Sequence, residues 1–121
     1  MKNVLCILLM SLFFINCNSN QEIKTISTKE LKVLLSKEKI QLMDVRSPKE
    51  INEGTIKTAV FANYFDTDFA EKAMQKLDKT KPVYLVCRTG NRSGKSAIIL
   101  KEKGYTVYNV LGGYNQWKKE N

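Results

Sequence analysis

The 121 residues include no histidine. That absence removes His-based triads, imidazole metal sites and the commonest general base, so any chemistry here runs without one. Proline occurs only twice, at Pro48 and Pro82, and the chain shows no internal repeat, no low-complexity tract and no dense basic block. An apolar run of the roughly 20 residues that a membrane-spanning helix needs is also missing. The one long hydrophobic stretch, Val4 to Ile15 broken only by Ser11, has the length of a signal-peptide core behind the positive Lys2.

Cysteine is scarce too: Cys6, Cys17 and Cys87 are the whole set. Cys6 lies inside the hydrophobic stretch and is expected to leave with it. Cys17 closes that stretch and is followed by a polar tether, so Phe14-Ile15-Asn16-Cys17-Asn18-Ser19-Asn20 resembles a bacterial lipobox, with Asn16 where a small residue is usual. The expected organisation is a lipoprotein-type signal peptide over 1–16, a lipidated Cys17 and tether over 17–22, and one domain over 23–121. The alternative is an ordinary signal peptide that leaves Cys17 as a free thiol. Either way Cys87 stands alone in the domain, no internal disulfide is available, and a domain of about 100 residues can bury enough surface without one. A lone thiol in an oxidising compartment points to reactivity or to protection by burial.

The net charge is +8, from lysines spread along the whole chain. With no aromatic residues interleaved at a suitable spacing, nucleic acid is not an expected partner, and most lysines read as solvated faces. A positive field would also favour an anionic lipid surface and concentrate small anions.

Strand and helix signals alternate. Ile23, Thr25 and Ile26 read as an edge strand, Ser27 or Thr28 as an N-cap, and Leu31, Leu34 and Leu35 as one helix face. Ile40 to Val45 is a strand ending in charge at Asp44 and Arg46; Ser47-Pro48 starts a short helix before Gly54. Ala59 to Ala62 is a short strand. Asp66 or Asp68 caps a helix bearing Phe69, Ala70, Ala73, Met74 and Leu77 on one side. Val83-Tyr84-Leu85-Val86 is apolar or aromatic throughout, the pattern of a central parallel strand buried on both faces. A polar loop, Cys87 to Ser93, leads to a helix through Ala97–Leu100 that ends at Gly104. Tyr105 to Val110 is a strand, Gly112-Gly113 a turn, and Tyr114 to Lys118 a last helix. The class is α/β, with a mainly parallel sheet covered on both faces. Arg46 and Glu50, four apart, are expected to pair and order the connector.

In such folds ligands bind at the carboxyl ends of strands, and Cys87 follows the most apolar strand and precedes a helix. The loop Cys87-Arg88-Thr89-Gly90-Asn91-Arg92-Ser93 has Gly and Asn to turn successive N–H groups inward. It also has two arginines and a helix dipole to favour the reactive thiolate. A buried structural thiol is the plainer alternative, but it needs none of these neighbours. The stretch Gly90-Asn91-Arg92-Ser93-Gly94-Lys95-Ser96 ends like a nucleotide phosphate loop, yet Thr89 stands where that motif needs Gly, and Lys95 reads as an exposed helix residue.

Cys87, four intervening residues and Arg92 resemble the active-site loop of rhodanese-like domains. Asp44-Val45-Arg46, Glu50, Gly54, Ile56, Ala59, Gly112-Gly113 and Trp117 resemble family positions in the family order. Thr55 stands where the family usually has His, while Lys57, Thr58 and Phe61 replace a typical Pro, Gly and Asn. The likeness runs from Ile26 to Trp117. It implies a rhodanese-like fold and sulfur transfer through a Cys87 persulfide, from thiosulfate or a similar anionic donor to cyanide or a thiol acceptor. Cys87 is then catalytic, and Arg88, Thr89, Gly90, Asn91, Arg92 and Ser93 form the substrate-binding loop. No metal or other cofactor is expected. The sequence further predicts a monomer in the periplasm or cell envelope, tethered to a membrane through Cys17, with a thioredoxin-like reductant as partner. Two alternatives stay open: a non-catalytic anion- or protein-binding module of the same fold, and phosphatase or arsenate reductase chemistry, which related folds support with a loop one residue longer.

Overall fold

The computed structural model describes residues 22–121. The signal segment, Cys17 and most of the tether expected from the sequence therefore lie outside the described residues. Five parallel strands, β1 (Lys24–Ile26), β2 (Gln41–Asp44), β3 (Val60–Phe61), β4 (Val83–Val86) and β5 (Val107–Val110), form one sheet in the order β1-β5-β4-β2-β3. Between and after them run α1 (Thr28–Lys37), α2 (Pro48–Asn52), α3 (Phe69–Lys76), α4 (Asn91–Glu102) and α5 (Gly113–Glu120).

β4 is central because all four of its residues are apolar or aromatic and can be buried on both faces. Side chains alternate across a strand, so Val83 and Leu85 join one core with Phe69 and Ala73 of α3 and Ala97 and Leu100 of α4. Tyr84 and Val86 join the opposite core with Leu31 of α1, and Tyr114 and Trp117 of α5 pack against it. Cys87 continues the alternation into the first core and is 1% exposed.

Two helices begin with the same device. Ser27 caps α1 and Ser47 caps α2, each with a glutamate three residues on that reaches back to the cap's N–H, the reciprocal capping box. Pro48 sits at the start of α2, where its missing N–H costs nothing.

Several expectations are refined. Asp68 occupies the cap position of α3 without a side-chain cap bond, because its carboxylate and that of Asp66 are both drawn to Lys72. β5 starts at Val107 rather than Tyr105, and β3 shortens to two residues. α4 begins at Asn91, so Arg92 and Ser93 lie in its first turn rather than in the loop.

The Arg46–Glu50 pair expected from the four-residue spacing does not form. Arg46 turns back to Asp44, with Nη2 2.8 Å from Oδ2, and both side chains are nearly fully buried. Its Nη2 also donates to the Gly54 carbonyl at 2.8 Å, and its guanidinium lies 4.3 Å from the Tyr114 ring centroid. Thr55, at the position where the family usually has His, donates its hydroxyl to Asp44 Oδ2 at 3.0 Å and so satisfies the same buried carboxylate.

Candidate active site

The loop after β4 curls around the Cys87 sulfur. Gly90 adopts φ +119°, a left-handed conformation that glycine takes without a Cβ clash, and this turns its N–H onto Sγ at 3.1 Å. Ser93, fully buried in the first turn of α4, places its hydroxyl 3.2 Å from Sγ. Burial pushes the thiol up, but the Ser93 hydroxyl and the backbone N–H groups of Ser93, Gly90 and Thr89 outweigh it, so Cys87 is held below the ordinary thiol range. The loop thus favours the nucleophilic form with hydrogen-bond donors, and Arg92 also interacts electrostatically with Cys87.

Glu50 clamps the loop from outside. Arg92 donates Nη1 to Oε1 and Nη2 to Oε2, each at 2.8 Å, and Arg88 donates Nε to Oε2 at 3.1 Å. Because Glu50 is also the reciprocal partner in the α2 capping box, one carboxylate joins α2 to the start of α4. Arg92, then opposed by partial desolvation, and next Arg88 and Ser47 hold the Glu50 carboxyl well below the usual carboxylate range.

From the other side, α5 presents its N-terminus to the loop carbonyls. Tyr114 N–H donates to Cys87 C=O at 2.8 Å, and Asn115 N–H donates to Arg88 C=O at 3.1 Å. Gly113, at φ +57°, permits this approach: a Cβ there would lie 2.5 Å from the Cys87 and Arg88 carbonyl oxygens.

The residues predicted for the loop therefore divide. Cys87, Gly90 and Ser93 converge on the sulfur, and Thr89 contributes its backbone while its side chain is exposed. Arg92 serves the Glu50 clamp, with its guanidinium 5.3 Å from the ring centroid of the exposed Phe65. Arg88 gives Glu50 only its Nε and stays half-exposed, and Asn91 opens α4 at the surface. Lys95 is exposed one turn further on.

Three contributors lie beyond the residues that the sequence marks as a site. The four-residue spacing pairs Glu50 with Arg46, and Gly113 has the pattern of a turn. Asn109 lies inside β5, where a lone amide in the strand Val107-Tyr108-Asn109-Val110 is itself a signal, since buried polar groups need partners. It has two: its Nδ2 donates to Gly90 C=O at 3.0 Å, and its Oδ1 lies 2.6 Å from the Ser93 hydroxyl oxygen.

Comparison with known proteins agrees with this geometry. The chain is 41% identical over 100 residues to "Putative sulfurtransferase YtwF" of Bacillus subtilis (strain 168), covering 82% of this chain and 94% of that one. It is 31% identical over 87 residues to a protein of Allochromatium vinosum named "Sulfurtransferase", covering 71% and 78%. Among solved structures, a rhodanese-like domain protein from Staphylococcus aureus superposes with a TM-score of 0.72 at 33% identity, covering 78% of this chain and 91% of that one. A family model described as the rhodanese-like domain matches residues 27–120. With nearly the whole described domain matched and the Cys87 loop in place at the end of its central strand, the chain belongs to the rhodanese-like domain family.

Proposed function

We propose that the protein is a sulfurtransferase that moves sulfane sulfur from thiosulfate or a similar anionic donor to cyanide or a thiol acceptor through a persulfide on Cys87. The observation that carries this reading is the buried Cys87 sulfur, met by the Gly90 N–H and the Ser93 hydroxyl. The names of the Bacillus and Allochromatium relatives support sulfur transfer as the class of reaction.

In the first half-reaction the Cys87 thiolate attacks the outer sulfur of the donor. A new S–S bond forms, the donor's own S–S bond breaks, and its electron pair leaves with sulfite. The leaving group is already an anion, so the chain's lack of histidine removes nothing the step requires. In the second, the acceptor attacks the outer sulfur of the persulfide and the Cys87 thiolate is regenerated. The loop N–H groups stabilise charge on the sulfur atoms throughout. Arg88, half-exposed and bound to Glu50 through Nε alone, is the group we assign to the anionic donor; Arg92, engaged twice by Glu50, shapes the loop.

The test is thiosulfate:cyanide sulfurtransfer by the purified protein beside Cys87→Ser, with mass spectrometry of the donor-treated chain. Turnover and one added sulfur atom on Cys87, both lost in the variant, are expected. Reduced, folded protein showing neither would make this a binding module, and phosphatase turnover without sulfur transfer would reassign the chemistry.

We also propose that the domain works outside the cytoplasm on a lipid anchor at Cys17, with a thioredoxin-like partner keeping Cys87 reduced. The apolar stretch that ends at Cys17 supports the anchor. A radioactive fatty acid should label the wild type and spare Cys17→Ala; equal labelling would remove the anchor.

A further inference from the structure

Four residues close a ring of hydrogen bonds around the reactive sulfur. Gly90 N–H donates to Cys87 Sγ, Asn109 Nδ2 donates to Gly90 C=O, and the Ser93 hydroxyl oxygen sits 3.2 Å from Sγ and 2.6 Å from Asn109 Oδ1. The amide can be oriented only one way. The Gly90 carbonyl accepts and cannot donate, so it must face the NH2 group, which leaves Oδ1 facing Ser93. Oδ1 also only accepts, so the bond between them needs the Ser93 proton. A hydroxyl has one proton, and here two acceptors stand within reach of it.

We propose that Asn109 is a positioning residue for Cys87: its Oδ1 competes with the thiolate for the single Ser93 hydroxyl proton, so each change of charge at the sulfur turns that hydroxyl from one acceptor to the other. In the thiol state S–H donates to Ser93 Oγ and Ser93 O–H donates to Asn109 Oδ1, which satisfies every member of the ring. When the thiol proton leaves to solvent, the hydroxyl turns to Sγ and the buried Oδ1 loses its donor. Asn109 is only 7% exposed, so water replaces that bond poorly. In a persulfide the charge moves to the outer sulfur, Sγ becomes a weak acceptor, and the hydroxyl returns to Asn109. The amide thus opposes ionisation through Ser93 while its Nδ2 holds Gly90 in the conformation that favours it.

The charged and titratable side chains packed around the loop are Asp44 and Arg46 at the end of β2, Glu50 of α2, Arg88, Arg92 of α4 and Tyr114 of α5. All are retained in the variants below, so differences between those variants report the ring. The inference concerns ionisation of Cys87 and is read by alkylation, which stays measurable if sulfur transfer by this chain fails its own test.

The experiment is the pH profile of iodoacetamide alkylation of Cys87 in the full chain, for wild type, Asn109→Leu, Ser93→Ala and the double variant. Asn109→Leu should move the transition to lower pH, with roughly fivefold faster alkylation on its acid side, the equivalent of one hydrogen bond. Ser93→Ala should move it up, and in that background Asn109→Leu should give no downward shift, leaving only the rise that a loosened Gly90 causes. A merely structural Asn109 would raise the transition by loosening Gly90, equally with and without Ser93, and that result overturns the proposal. If Asn109→Leu does not fold, Asn109→Val carries the same comparison. In wild type, side-chain amide resonances of Asn109 that stay flat across the Cys87 transition overturn it without any variant.

Discussion

Glu50 serves a helix N-terminus and two arginines with one carboxylate. Replacing it with Gln keeps the shape but removes the charge that both guanidinium groups face. Glu50→Gln should therefore cost about 2 kcal/mol at neutral pH, the range for a hydrogen bond to a charged group, and should slow sulfur transfer by loosening the start of α4. The pH dependence has a definite sign. The folded-state pKa of Glu50 is depressed, so its stabilisation is present above the unfolded carboxylate value and is lost as pH falls through the folded one. Urea unfolding should show the gap between wild type and Glu50→Gln narrowing only on acidification; a gap that is constant with pH would mean that the carboxylate charge is not what matters. Cys87 obeys the same rule in its reactivity. Its lowered pKa predicts that the transition of iodoacetamide alkylation falls at lower pH than that of an ordinary thiol, and that the proposed sulfur transfer rises over the same range.

α5 is short, yet its first turn holds the backbone of the Cys87 loop, and that depends on the missing side chain of Gly113. Gly113→Ala would drive a methyl group into two carbonyl oxygens at a positive φ. A loss of about 3 kcal/mol or more, together with reduced turnover of whatever folds, is expected from denaturant titration and assay of the same sample. The turn before β3 carries the opposite opportunity. Thr58 adopts φ +73° where the family typically has Gly, and its side chain is exposed, so little packing is lost by removing it. A left-handed non-glycine residue costs roughly 1–2 kcal/mol, and glycine returns about half of that through its extra unfolded-state freedom. Thr58→Gly should thus stabilise the domain by about 0.5–1 kcal/mol in thermal or urea unfolding without changing turnover.

Every lysine among the described residues is exposed, and the chain as a whole carries +8. The attraction this field would exert on the proposed anionic donor acts through solvent and is screened over about 10 Å at 0.1 M salt. Raising ionic strength should lower kcat/KM for thiosulfate severalfold through KM, with kcat little changed, whereas a neutral acceptor should show no such dependence. A salt-independent KM for thiosulfate would place donor recognition entirely in short-range contacts such as Arg88.

The alternation of strands and helices, the central position of β4 and the place of Cys87 at its end were all legible in the chain, because each depends on residues a few positions apart. An unbroken apolar run, a capping serine followed by glutamate three residues on, and a Cys followed by Arg at a set spacing carry their meaning locally. The partners of those residues were not legible. Ser93 meets Asn109 across 16 residues and Arg92 meets Glu50 across 42, while the local pair that spacing suggested, Arg46 with Glu50, gave way to Arg46 with Asp44. The sheet order decides this. β4 lies between β5 and β2, so the end of β5 delivers Asn109 to one side of the loop and the chain leaving β2 delivers Glu50 to the other. The sequence by itself determined the central strand and the cysteine at its end. Only the tertiary structure decided which amide and which carboxylate surround it, because hydrogen-bond partners in a parallel sheet are chosen by neighbouring strands rather than by neighbouring residues.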